Sequence, residues 1–222
     1  STLMNILAGL YKPESGTIKI NGERAVLNSP RDAINRGVGM VHQHFMLVPT
    51  QTVTENILLG LDEPGFFMRL PRYDQKVADL AEKYGRHVAP TAKIWQLSVG
   101  EQQRVEILKT LYRGAEILIL DEPTAVLAPQ EIQELMDTLR LMVRQGKSIV
   151  FISHKLNEVK QVADRLTVLR KGKVTAEGLP MAGRTKRELA QLMVGRDVVF
   201  TIEKEKHTPG EVVLQVRDLK AT

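Results

Sequence analysis

The chain has 222 residues, enough for one sizeable α/β domain or for one domain and the start of another. Its apolar share of 43% and charged share of 26% are those of a globular protein, and its net charge of +5 is spread among 31 basic and 26 acidic residues, a solvated mixed surface and not a nucleic-acid patch. Cysteine is absent, which excludes disulfides and thiolate metal sites. No apolar run approaches the ~18–20 residues of a membrane helix, so the segment is expected to reach a membrane only peripherally.

In chain order, residues 2–10 read as a helix with Leu3, Ile6, Leu7 and Leu10 on one face. Thr17–Ile20 and Arg24–Leu27 flank Asn21-Gly22, a hairpin signal. Ser29-Pro30-Arg31-Asp32 reads as a helix start, with Gly37 placed to end that helix. Val38–Val41 is a short buried strand. Residues 52–113 look helical, with capping-box pairs at Thr52/Glu55 and Ser98/Glu101, and with a loop expected from Asp62 to Tyr73. Ile117–Leu120 is continuously apolar, as in a parallel strand buried on both faces. Pro129 opens a helix with Ile132, Leu135, Met136, Leu139 and Val143 at core spacing, and Ser148–Ile152 is another buried strand. A helix over Leu156–Ala163, a hairpin over Arg165–Ala176 and a capped helix from Thr185/Glu188 to Gly195 follow. The alternation predicts an α/β fold, a mostly parallel sheet with helices on both faces and a helical insertion.

Two segments carry chemistry. Asp121-Glu122 follows the apolar strand, where α/β sheets bind ligands. Asp121 there suits Mg²⁺, a hard cation, and Glu122 suits deprotonation of an attacking water. The bland alternative is two acids capping the next loop. Leu97-Ser98-Val99-Gly100-Glu101-Gln102-Gln103-Arg104 is a capped helix start and, for the same reason, an anion site: free N–H groups and the helix dipole face a ligand, Gly100 lets a phosphate approach and Ser98 adds a hydroxyl.

This second segment resembles the Leu-Ser-Gly-Gly-Gln signature of ATP-binding-cassette proteins. Gln43, after the Val38–Val41 strand, is similar to that family's Q-loop glutamine, and His154 to its switch histidine. Ser1-Thr2 resembles the close of a phosphate-binding loop, Gly-x-x-x-x-Gly-Lys-[Ser/Thr], whose earlier residues and strand would lie upstream. The resemblance implies a P-loop NTPase in which two cassettes close head to tail around two ATP molecules. By position, Ser1 and Gln43 would ligand Mg²⁺, with Asp121 supporting the metal. Thr2 would contact the α-phosphate, Glu122 would be the general base and His154 would hold the γ-phosphate. Ser98 and Gly100 would act on the ATP of the other cassette. Val99, Glu101 and Ala128 depart from the pattern. Glu101 brings a carboxylate near a phosphate site unless it points away in its capping role, and Ala128 stands where an aspartate usually links the two sites.

Residues 196–210, charged and polar, read as a linker, and Glu211–Leu219, with Val-Val-Leu-Gln-Val, reads as the opening strand of a second domain; with the resemblance this implies 1–195 as a first cassette, its insertion at about 52–113, and 211–222 as the opening of a second. Asp-Glu-Pro-Thr-Ala-Val-Leu-Ala-Pro and Ile-Ser-His-Lys-Leu-Asn-Glu are similar to the ATPase subunit of bacterial importers for simple sugars and nucleosides. Membrane permease subunits, an extracytoplasmic solute-binding protein and the cytoplasmic face of the membrane follow as expectations, with no nucleic acid. The rival class, soluble tandem cassettes acting on ribosomes or nucleic acid, usually has a long basic linker. Residues 196–210 are short and mix both charge signs. His44-Phe45-Met46 after Gln43 resembles the nucleoside-importing branch, so nucleosides are expected ahead of ribose or galactose. The 222-residue segment alone, lacking the phosphate-loop lysine, is expected not to hydrolyse ATP.

Overall fold

The computed structural model describes residues 1–61, 70–85, 88–194 and 210–220. At its centre is a parallel sheet of β3 (Val38–Val41), β4 (Ile117–Asp121) and β5 (Ser148–Ile152), in that spatial order. Before it come α1 (Thr2–Leu7), the hairpin β1 (Ile18–Ile20) and β2 (Glu23–Ala25), and α2 (Pro30–Asn35). Asn21 and Gly22 both have positive φ, 52° and 83°, the two-residue turn that glycine and asparagine tolerate. Ser29 Oγ accepts from the Asp32 N–H and so caps α2 as its sequence indicates.

Side-chain alternation splits the sheet into two faces. Ile117, Ile119, Val150 and Ile152 pack with Val38, Met40, Ala33 and the first hairpin, and Met4 and Leu7 of α1 join that cluster. Leu118, Leu120, Ile149 and Phe151 point the other way. They meet Ile107 and Leu111 of α5 (Val99–Tyr112) and Leu135, Met136, Leu139 and Met142 of α6 (Pro129–Arg144). Leu118 and Leu120 are fully buried, each worth about 1.5–3 kcal/mol relative to exposure. This is the layered α/β packing that the continuous apolar run predicts.

The region expected to be helical over 52–113 is divided. It contains α3 (Val53–Leu58), α4 (Leu70–Lys83), a 3₁₀ turn at Ile94–Gln96 and then α5. Its own core joins Val53, Ile57, Val77, Ala81, Ile94, Val105 and Leu108. The loop expected over Asp62–Tyr73 is corrected at its end, because Leu70–Tyr73 is the first turn of α4 and Pro71 is tolerated there; residues 62–69 lie outside the described residues. The first helix is also shorter than expected, ending at Leu7.

After β5 come α7 (Leu156–Val162), the hairpin β6 (Arg165–Arg170) and β7 (Lys173–Pro180), and α8 (Lys186–Val194). Val159, Met181 and Leu189 form their shared core. The hairpin reaches Pro180, four residues past the expected Ala176. Of the linker expected at 196–210, all but Gly210 lies outside the described residues. The strand expected over Glu211–Leu219 is not formed. Val212, Val213, Leu214 and Val216 are exposed, and no ladder partner is found among the described residues. A β-branched apolar run alone does not make a strand, because its backbone groups need a neighbour.

Candidate active site at the carboxyl edge of the sheet

β3, β4 and β5 run parallel and in register, Val41 beside Leu120 and Asp121 beside Ile152. The residues that follow them therefore emerge along one edge: Gln43 from β3, Glu122 from β4 and His154 from β5. That edge is where parallel sheets of this kind bind ligands.

Asp121 ends β4 on the same face as Ile117 and Ile119, the face covered by α1. It is 6% exposed and its Oδ1 is buried without a partner. Glu122 has φ 47°, the left-handed region, unusual for this residue and worth about 1–3 kcal/mol of strain. Its N–H still donates to the Ile152 carbonyl at 3.0 Å, so the β4–β5 ladder holds the turned residue in place. Its Oε1 lies 2.8 Å from His154 Nδ1, and its Oε2 is buried without a partner. The histidine side chain itself is 73% exposed. When both ring nitrogens carry protons, Nδ1–H donates to Glu122 and Nε2–H is left for an anion.

A network that the sequence reading missed fixes both loops. Glu158, on α7 and 5% exposed, accepts from Thr124 Oγ1 at 2.6 Å and from Ser153 Oγ at 3.0 Å. Lys155 Nζ lies 3.3 Å from Glu158 Oε1 and donates to the Thr124 carbonyl at 3.0 Å. One buried carboxylate thus ties the turn after Glu122 to the residues on either side of His154. The only sequence signal was an acid in the first turn of a helix.

The signature segment lies on the insertion side, at the start of α5. Ser98 Oγ accepts from the Glu101 N–H at 3.2 Å, and Glu101 Oε2 accepts from the Ser98 N–H at 2.8 Å. Glu101 therefore points back into its cap, as its departure from the signature pattern required. Gly100 differs from its expected state. Its N–H, read as free to meet a phosphate, donates to Glu131 Oε1 at 3.1 Å. A Cβ at this position would fall 2.3 Å from that oxygen, so Glu131 is itself a reason for glycine here. The other carboxylate oxygen, Oε2, accepts from the Ala128 N–H at 3.0 Å and caps α6, whose N-cap alanine has no side chain to do so.

Ser1 and Thr2 open α1 and are exposed, and no side-chain hydrogen bond caps that helix. Gln43 is exposed in the bend after β3. The structure thus brings Asp121, Glu122 and His154 together, places Gln43 on the same edge, puts Ser1 and Thr2 on the helix that covers the Asp121 face, and sets Ser98 and Gly100 apart on the insertion. Among the described residues no cluster of three His, Asp or Glu side chains is poised for a metal. A divalent ion here would rest on the unpartnered Asp121 oxygen together with hydroxyl, amide and phosphate oxygens, a donor set that suits Mg²⁺.

The family model for the ABC transporter matches residues 1–125, more than half of the chain. The chain belongs to the ABC transporter family. It is 53% identical to the nucleoside import ATP-binding protein NupA of Lactococcus lactis, over 99% of this chain and 43% of that one. It is 54% identical to the guanosine import ATP-binding protein NupO of Bacillus subtilis, over 97% and 42%. With the glucose import ATP-binding protein TsgD13 of Haloferax volcanii it shares 45% identity, over 100% and 46%. The chain thus spans less than half the length of these relatives. Among solved structures it resembles the ATP-binding cassette MJ0796, a dimer bound to ADP and Pi, with a TM-score of 0.67 and 26% identity over 82% of this chain and 81% of that one. It also resembles CbiO1 of Clostridium perfringens, with a TM-score of 0.68 and 25% identity over 87% and 75%. The α/β cassette fold expected from the sequence is the fold found.

Proposed function

We propose that this chain contributes an ATP-binding and ATP-hydrolysing site to the protein that contains it, and that this protein spends that hydrolysis on solute import through membrane permease subunits. The observation that carries the reading is the sheet edge where Glu122 and His154 meet at 2.8 Å beside two buried carboxylate oxygens without partners. Glu122 orients the attacking water and takes its proton, and His154 holds the γ-phosphate while hydrogen-bonded to Glu122. Gln43 reports the state of the site to the insertion. Asp121, with Ser1 and Gln43, would hold Mg²⁺, whose charge offsets that of the phosphates. Thr2 contacts the α-phosphate. The remaining work is positioning and charge stabilisation, as phosphoryl transfer requires.

Ser98 and Gly100 serve the ATP of an opposing cassette in this reading. We place that cassette in the same polypeptide, with residues 1–195 as the first unit, 196–210 as the linker and 211–222 as the opening of the second. Support comes from the relatives, each more than twice as long as the matched span. A solute-binding protein outside the membrane and a peripheral position on its cytoplasmic face complete the proposal. No described helix is long and apolar enough to cross a membrane.

Nucleosides stand ahead of simple sugars as the cargo. Two relatives named for nucleoside or guanosine import share 53% and 54% identity, against 45% for the one named for glucose. Uptake of radiolabelled guanosine and ribose by a strain lacking the protein tests this. Loss of guanosine uptake alone is expected. Loss of ribose uptake with guanosine uptake intact overturns the assignment.

A further inference from the structure

Glu106 and Lys109 on α5 and Arg113, the residue that caps its C-terminus, lie three and four residues apart and form a stripe along one face of the helix. Glu106 Oε1 accepts from the Met46 N–H at 2.6 Å, and Lys109 Nζ donates to the Met46 carbonyl at 3.0 Å. Both main-chain polar groups of one residue are thus held by side chains some sixty positions away. The ammonium stands 3.9 Å from Glu106 Oε2. Arg113 Nη2 donates to the Leu59 carbonyl at 2.6 Å, where α3 ends. The stripe therefore grips the chain on both sides of α3.

These are expensive groups to use as staples. Glu106 is 6% exposed. Burial pulls the Lys109 ammonium and the Arg113 guanidinium below their usual pKa ranges, and the Glu106 charge pushes both back up. An apolar stripe would pack α5 against the insertion without that desolvation cost. A charged stripe adds the fixing of a particular backbone residue, and that residue lies three positions after Gln43. Leu47, next in sequence, packs into the core of the insertion. Val48 is held at both its N–H and its carbonyl by Asn56 of α3, at 2.7 and 3.1 Å. Gln43 and His44, by contrast, are exposed in the bend that leaves β3.

We infer that Glu106, Lys109 and Arg113 are positioning residues that lock the segment after Gln43 to α5, so that the signature turn at the start of α5 and the Gln43 bend move together when the insertion is displaced. The inference rests on the permease reading above. It predicts that the stripe matters for transmitting the permease's effect on ATP turnover more than for turnover itself.

The test uses the full-length protein, free and assembled with its permease in lipid nanodiscs, and reads the ratio of the two MgATP turnover rates. Lys109→Met and Arg113→Met each remove one donor to a backbone carbonyl, and Lys109→Arg restores one. The expected result is a ratio lowered about five-fold or more in the two Met variants, with free turnover within about two-fold of wild type and with Lys109→Arg close to wild type. A wild-type ratio in a folded Lys109→Met protein overturns the inference. So does a proportional fall of free and assembled rates in step with the melting temperature, which marks a staple that only stabilises the fold. A ratio of one in the wild type itself removes the permease reading and the inference with it, and is distinguished from the other outcomes because no variant is needed to see it.

Discussion

The two parts of the molecule proposed to meet nucleotide differ in what they leave unsatisfied. At the sheet edge, Asp121 Oδ1 and Glu122 Oε2 are buried without partners and Glu122 is held at φ 47°. At the start of α5, the N–H groups of Ser98, Gly100 and Glu101 already have the side chains of Glu101, Glu131 and Ser98. Unpartnered buried acceptors cost stability unless something fills them. A capped helix start gains stability as it stands. The sheet edge is therefore built for an occupant, whereas the signature turn is complete without one, and an approaching phosphate must displace the Glu131 carboxylate to reach the Gly100 N–H.

The largest effect is expected at the strained residue. Glu122→Gln in the full-length protein keeps ATP binding and slows hydrolysis by on the order of 10²–10⁴, as removal of a general base does. Near-normal turnover assigns Glu122 a minor role and dissolves the contrast. Glu158→Gln should slow turnover by about ten- to a hundred-fold with little change in KM for ATP. The acid touches no substrate, but it sets the spacing of the Glu122 and His154 loops. A change in KM alone contradicts that reading.

At the signature turn the expected effects are on stability. Glu131→Ala leaves the Gly100 and Ala128 N–H groups without their carboxylate and should cost about 1–2 kcal/mol, a fall of about 2–8 °C in melting temperature by calorimetry. Turnover should hold or rise, because the competing carboxylate is gone. A collapse of turnover in the folded variant makes Glu131 part of the machinery. Ser98→Ala is the smallest, about 0.5–1 kcal/mol for one exposed cap. A larger loss shows that the cap is not what Ser98 Oγ mainly does.

The same contrast governs what was legible in the sequence. Caps, turns and the buried strand are encoded within a few residues, so Ser98/Glu101, Asn21-Gly22 and Ile117–Leu120 were read correctly. The grouping of Asp121, Glu122 and His154 came from the family resemblance, and the parallel, in-register strands are what deliver the three to one edge. Glu158 with Thr124, and Glu131 with Gly100, are contacts across more than thirty positions, and nothing in the local pattern distinguishes such acids from solvated ones. The apolar, β-branched Val212–Val216 segment failed as a strand for the complementary reason: its composition is local, but pairing is not.

We propose that the unpartnered Asp121 oxygen belongs to a metal–nucleotide site. ATP affinity of the full-length protein, measured by equilibrium dialysis with Mg²⁺ and with EDTA, tests it against Asp121→Asn. Mg²⁺ is expected to strengthen ATP binding in the wild type, and most of this gain to disappear in Asp121→Asn, with affinity in EDTA unchanged. A full Mg²⁺ gain retained in the variant contradicts it.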